Sequence, residues 1–179
     1  MGQLTFILGG ARSGKSDYAE QLGRESGKPV LFIATATAFD DEMRERIQRH
    51  RATRPREWQT LEAPTNVGAA LLSGTFKADV VIVDCMTLLV SNILLALPEE
   101  SAFETVMQKV KDEIDSLLAA REKFGGQWLI VSNEVGLGLV PPYPLGRMYR
   151  DALGRANQTL ARVASQVIFM AAGIPIVIK

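Results

Sequence analysis

Short unbroken apolar runs alternate along the chain with longer stretches in which apolar residues recur every three or four positions. The runs are Leu4 to Leu8, Val30 to Ala34, Val80 to Val83, Trp128 to Val131, Val167 to Met170 and Ile174 to Ile178. They are rich in Val, Ile and Phe and do not alternate with polar residues, as expected of strands covered on both faces in a parallel sheet. Between them, Lys15 to Ser26, Asp40 to Arg51, Ser101 to Phe124 and Pro144 to about Gln166 predict helices. The third lays Phe103, Val106, Met107, Val110, Ile114, Leu117 and Leu118 on one face and stops at Gly125, a natural C-terminal cap. Only Ala171, Ala172 and Gly173 join the last two runs, so these predict an antiparallel hairpin. The expected fold is α/β, a single domain over residues 1–179 with a mostly parallel sheet and a C-terminal antiparallel hairpin.

A chain of 179 residues can bury a substantial core as one domain. Lys plus Arg total 20 and Asp plus Glu total 20, for a net charge of zero, which argues against bulk attraction to nucleic acid or anionic lipid. One cysteine, Cys85, and one histidine, His50, leave no intramolecular disulfide and no Cys/His cluster for zinc. The longest apolar run, Val167 to Ile178, contains Pro175 and falls short of the roughly 20 residues that span a bilayer. No basic leader and no myristoylation motif open the chain, since position 6 is Phe. A cytoplasmic protein without membrane insertion is expected.

The first run leads into Gly9-Gly10-Ala11-Arg12-Ser13-Gly14-Lys15-Ser16, which satisfies G-x-x-x-x-G-K-[ST]. Glycines let the backbone curl until its N–H groups converge on phosphate oxygens, and the helix that follows adds the positive end of its dipole. Lys15 is then placed for the β and γ phosphates, and the Ser16 hydroxyl for magnesium. A glycine turn that merely caps a helix is the plainer alternative.

A second acidic metal partner is offered by Asp84 at the carboxyl end of Val80-Val81-Ile82-Val83, where ligands of open parallel sheets collect. The alternative is a solvated aspartate at a strand end. Glu134, after the fourth run, is placed in the same way, either to position water or a base or to make a structural hydrogen bond.

His50 falls on a helix whose start carries Thr37 and Asp40 at capping-box spacing, in a stripe with Met43 and Ile47. A packed histidine would explain that stripe. It would not explain Arg46, Arg49, Arg51, Arg54 and Arg56 crowded around it, since like charges four apart on a helix repel. Such a cluster suits a docking polyphosphate, and an imidazole beside it could act as a nucleophile.

These residues resemble the bifunctional adenosylcobinamide kinase and adenosylcobinamide-phosphate guanylyltransferase family. The resemblance rests on the phosphate loop, on Ile33-Ala34-Thr35, on Asp41-Glu42-Met43 with Arg46-Ile47 and His50, on Arg54-Pro55, and on Asn133-Glu134-Val135-Gly136 with Val140-Pro141. It runs nearly end to end, and the segment from Ile33 to Pro55 is what distinguishes this family from other NTPases. Asp84 stands where a family member can carry the longer Glu. The resemblance implies a recombinase-type P-loop core, a homotrimer and two reactions. One moves a γ-phosphoryl group from GTP or ATP, with Mg2+, to the aminopropanol hydroxyl of a corrinoid substrate. The other places GMP from GTP on a histidine, by position His50, and passes it to the new phosphate. It also implies nucleotide contacts at Thr35, Ala36 and Thr37, at Arg51, Ala52, Thr53 and Arg54, and at Glu62 and Asp84. A carboxylate at Glu62 could accept from the guanine N1–H and amino group, which adenine does not offer; an exposed glutamate ending a short strand is the alternative.

Two other classes compete. A regulatory GTPase would need an Asn-Lys-x-Asp guanine motif, absent from the sequence. A nucleic-acid-dependent ATPase would show a basic stripe, which a zero net charge disfavours.

Overall fold

The computed structural model describes residues 2–38 and 41–179; within the second helix the side chains at positions 42, 43, 46, 49 and 53 also lie outside the description. In chain order the elements are β1 (Leu4–Gly9), α1 (Lys15–Glu25), β2 (Val30–Ala34), α2 (Asp41–Thr53), β3 (Gln59–Glu62), α3 (Val67–Ser73), β4 (Val80–Asp84), α4 (Met86–Leu95), α5 (Phe103–Phe124), β5 (Gln127–Val131), α6 (Pro144–Val163), β6 (Gln166–Ala171) and β7 (Ile174–Val177). The strands form one seven-stranded sheet in the order β3-β2-β4-β5-β1-β6-β7. All pairings are parallel except β6 with β7, where Ala171 stands opposite Ile174 across the tight turn. This is the predicted mostly parallel α/β sheet with its terminal hairpin.

The unbroken apolar runs are explained by the packing. Leu4, Phe6, Leu31, Ile33, Val81, Val83, Trp128 and Ile130 point into a large core beneath α3 to α6. Their alternating neighbours Ile7, Val30, Phe32, Val80, Ile82 and Leu129 point into a smaller one beneath α1. Every one of these residues is at most 1% exposed, so a single buried Leu or Ile here contributes about 1.5–3 kcal/mol of transfer free energy. On α5, Val106, Val110, Ile114 and Leu117 are buried as the periodicity predicts.

Three differences from the sequence reading have physical causes. The last helix stops at Val163, because Ala164 turns extended (φ −67°, ψ 139°) and Gln166 already pairs with Thr5 in the sheet. The Ser165 hydroxyl secures that corner, accepting from the Leu4 amide and donating to the Leu4 carbonyl, both at 3.0 Å. Helix α4 is mostly apolar, with Met86, Leu89, Val90, Ile93 and Leu94 buried, and even its Asn92 is buried, so no charged face betrays its period. The N-terminus of α3 is capped from a distance by the buried Glu113 carboxylate, which accepts from the Asn66 and Val67 amides at 2.8 Å each.

The carboxyl ends of the strands fall on one edge. In register, Glu62 faces Ala34, Ala34 faces Asp84, and Asp84 faces Val131.

Candidate active site

The phosphate loop joins β1 to α1 in the conformation its glycines permit. Gly14 sits at φ +89°, in left-handed territory, and at Gly9 a Cβ would fall 2.5 Å from the Met170 carbonyl oxygen. Both flanks of the loop are held by backbone hydrogen bonds. The Glu134 amide donates to the Gly9 carbonyl at 3.1 Å, and the Gly173 amide donates to the Ser13 carbonyl at 3.0 Å. Lys15, only 7% exposed, turns its ammonium back over the loop, donating to the Gly10 carbonyl at 2.5 Å and to the Ser13 hydroxyl at 3.4 Å.

Asp84 ends β4, two strands from β1, with β5 between them. It keeps partial access to the cavity, yet protein surrounds it, and this desolvation pushes its pKa up. A hydrogen bond with the Ser16 side chain and the positive fields of His50, Arg54 and Lys15 act in the opposite direction. The carboxylate thus lies within reach of both the phosphate loop and the histidine. Its neighbour Cys85 has a thiol raised to about 11, chiefly by burial, and no reactive character.

His50 lies on α2 with Ile47 and Arg51, and all three line a cavity of about 1000 Å3. The same cavity is lined by loop residues from Ala11 to Ser16, by Ala36 and Thr37, and by Arg54, Glu62, Asp84 and Asn133. Arg51 pairs with Glu62 at 2.7 Å, each side chain 57% exposed. Arg54, just past α2, stacks its guanidinium 3.5 Å over the Phe32 ring. Its Nε and Nη1 are buried with no hydrogen-bond partner among the described residues. Burial lowers its pKa from the usual arginine value, against the opposing pull of Glu20 and Asp84. Orphaned guanidinium donors beside a cavity are a site for an oxyanion, because leaving them unmet costs about 1–3 kcal/mol.

Other residues singled out from the sequence fall elsewhere. Gly9 and Gly10 shape the loop without lining the cavity, and Ala52 is exposed beside it. Thr35 is fully buried; its hydroxyl donates to the Cys85 carbonyl at 2.7 Å and accepts from the Cys85 amide at 2.8 Å, tying β2 to the end of β4. The Glu134 carboxylate accepts from the Gly136 amide at 2.6 Å, the structural alternative for that residue. Asp40 and the side chains of Met43, Arg46, Arg49 and Thr53 lie outside the described residues. Two residues not singled out also matter. Asn133 lines the cavity, and buried Asn92 donates to the Thr35 and Pro64 carbonyls at 2.8 and 3.0 Å, fixing the backbone beside the site. Asn133 stands in the quoted Asn133-Glu134-Val135-Gly136 motif without having been given a role, and Asn92 belongs to no motif that would have marked it.

A glycine loop between a central strand and a helix, its lysine folded over it, and an aspartate ending a nearby parallel strand define a P-loop nucleotide-binding enzyme. Residues 5–178 match the family described as cobinamide kinase / cobinamide phosphate guanyltransferase, and the chain belongs to it. It is therefore a bifunctional enzyme of that kind. The chain is 43% identical over 174 residues to the bifunctional adenosylcobalamin biosynthesis protein CobP of Pseudomonas aeruginosa, covering 97% of this chain and 96% of that one. It is 39% identical over 181 residues to the corresponding CobU of Escherichia coli and 38% identical to that of Salmonella typhimurium, covering 98% of this chain and 99% of each relative. Among solved structures, the RadB recombinase is similar at a TM-score of 0.48 and 17% identity, over 93% of this chain and 73% of that one.

Proposed function

We propose that one cavity serves both reactions, with the phosphate loop presenting the γ-phosphate to a corrinoid hydroxyl and His50 taking GMP from GTP. The observation that carries this reading is that Lys15, Ser16, His50, Arg54 and Asp84 all line one cavity, so the groups for both chemistries border one space. In the kinase step the aminopropanol oxygen of the corrinoid attacks the γ-phosphorus of GTP or ATP. The bond to the β-γ bridging oxygen breaks, the nucleoside diphosphate leaves with that oxygen, and the hydroxyl proton passes to water. Lys15 stabilises charge building on the transferred group. In the second reaction an imidazole nitrogen of His50 attacks the α-phosphorus of GTP and pyrophosphate leaves. The corrinoid phosphate then attacks the same phosphorus and frees the imidazole. Arg54, with unmet donors, holds phosphate oxygens through both displacements, and Glu62 reads the guanine edge.

The Ser16 hydroxyl and the Asp84 carboxylate fit magnesium, which takes one or two protein oxygens and completes its shell with phosphates and water. Among the described residues no cluster of three metal-ligating side chains competes with them. Held by these two oxygens, magnesium would supply neutralisation of phosphate charge. The working unit is a homotrimer in the cytoplasm. The exposed apolar edge strand β7, with Ile174, Ile176 and Val177, supports an assembly, and no helix among the described residues is long and apolar enough to cross a membrane.

The test is incubation with α-labelled GTP followed by denaturation. Label retained on the protein, acid-labile and alkali-stable as a phosphoramidate is, is expected; its absence while guanylyl transfer proceeds would remove the covalent step.

A further inference from the structure

We propose that the loop after β5 is the platform on which the corrinoid macrocycle rests, a reading that presupposes the two reactions above. The loop leaves the sheet at the cavity wall, since Asn133 lines the cavity and the Glu134 amide is bonded to the phosphate loop. Its base is rigid. The Asn133 amide donates to the Thr87 hydroxyl at 3.0 Å, and the Asn133 carbonyl accepts from buried Asn157 of α6 at the same distance. Its far end is pinned where Arg147 donates to the carbonyls of Pro141 and Pro142 at 3.1 and 2.8 Å. Between these anchors the chain holds out Leu137, 82% exposed, Leu139, 98% exposed, and Val140, 62% exposed.

Such side chains are costly to leave in water without use, and three within four residues on an anchored loop mark a contact surface. The identity of what covers them follows from size and reach. The cavity, at about 1000 Å3, is already at the upper end for a drug-sized ligand and must hold a nucleoside triphosphate. A macrocycle larger than such a ligand stays outside and sends in only its hydroxyl-bearing arm, so it needs an apolar rest at the rim. At no more than about 3.6 Å per residue, Leu137 lies within about 15 Å of Asn133. Where α2 lines the cavity it offers Arg44, Gln48 and Arg51 instead.

The test pairs Leu137→Asp/Leu139→Asp with Leu72→Asp, a change at an exposed apolar residue of α3 that lines no part of the cavity. KM for the corrinoid in the kinase reaction should rise tenfold or more in the loop variant and stay unchanged in the α3 variant. Adduct formation from α-labelled GTP needs no corrinoid and reads the nucleotide half alone. An unchanged corrinoid KM overturns the proposal. So does a loss of adduct parallel to the loss of kinase activity, which would assign the loop to the nucleotide. So does dissociation of the assembly on sedimentation, which would assign it to a second copy of the chain. If the wild-type chain neither phosphorylates the corrinoid nor forms an adduct, the two-reaction reading itself has failed.

Discussion

Lys15 and His50 face the same cavity from supports of different kinds. Lys15 follows a strand whose residues are almost wholly buried, and its loop is bonded to the turns on both sides. His50 rides on α2, which contributes no described residue to either hydrophobic cluster. The described contacts on this side of the cavity include Arg51 with Glu62, half exposed, and Arg54 over Phe32. An exposed ion pair contributes at most about 1 kcal/mol and weakens in salt, whereas the phosphate loop is fixed by core packing and backbone bonds that salt does not touch. On the proposed reading, the phosphate end is held ready for charge stabilisation by packing and backbone bonds, and the guanylyl end rests on charged contacts.

The sharpest break of this comparison is His50→Ala, which should abolish the covalent adduct and guanylyl transfer while kinase activity survives at least in part. Mass spectrometry after GTP incubation checks it, and GMP found on another residue would dismiss His50. Lys15→Ala should lower kinase turnover by about 10²–10³-fold, the typical loss when one preorganised donor is removed from a transition state. Steady-state kinetics with the fold verified by circular dichroism would show it; near-normal turnover would remove Lys15 from the chemistry. Arg54→Met should weaken binding of a GTP analogue with a non-cleavable α–β bridge by about tenfold to hundredfold. The ligand-free protein should unfold no earlier, because the variant buries no unmet donors. Calorimetric titration and thermal melts together test that split.

The smallest effect concerns Asp84→Asn. Burial raises the Asp84 pKa above its ordinary value of 3.8, so the folded state resists ionising it. In the ligand-free wild type this costs stability progressively as pH rises above about 3.8, levelling off beyond the raised folded value. The Asn variant should therefore melt higher than wild type at neutral pH, with the gap closing as pH falls toward 3.8. It should also need more magnesium for both reactions. Equal melting temperatures across the range, or an unchanged magnesium titration, would contradict this role.

The same contrast decides what the sequence discloses. Strands β1, β2, β4 and β5 are legible because burial on both faces forces unbroken Val, Ile and Leu, and the phosphate loop because its backbone geometry demands glycine at fixed spacing. Strand β3, Gln59 to Glu62, is an edge strand of four largely exposed residues, and its composition carries no strand period. Helix α3 is seven residues with an internal glycine, held by Glu113 from a helix far along the chain, so nothing local declares it. In the site, Lys15, Ser16 and Asp84 follow from motif and strand end. Asn133 and the stacking of Arg54 on Phe32 exist only once separate strands lie side by side, because each is a relation between distant segments.

The two backbone bonds that flank the phosphate loop give the protein internal gauges. The amide protons of Glu134 and Gly173 are tied up in them while lining no part of the cavity. Their exchange with solvent is set by how often the loop parts from its neighbours, the low-energy local openings that precede global unfolding. Deuterium uptake at these two positions would report the gripping of a triphosphate from outside the cavity, without a label on either the nucleotide or the residues that hold it.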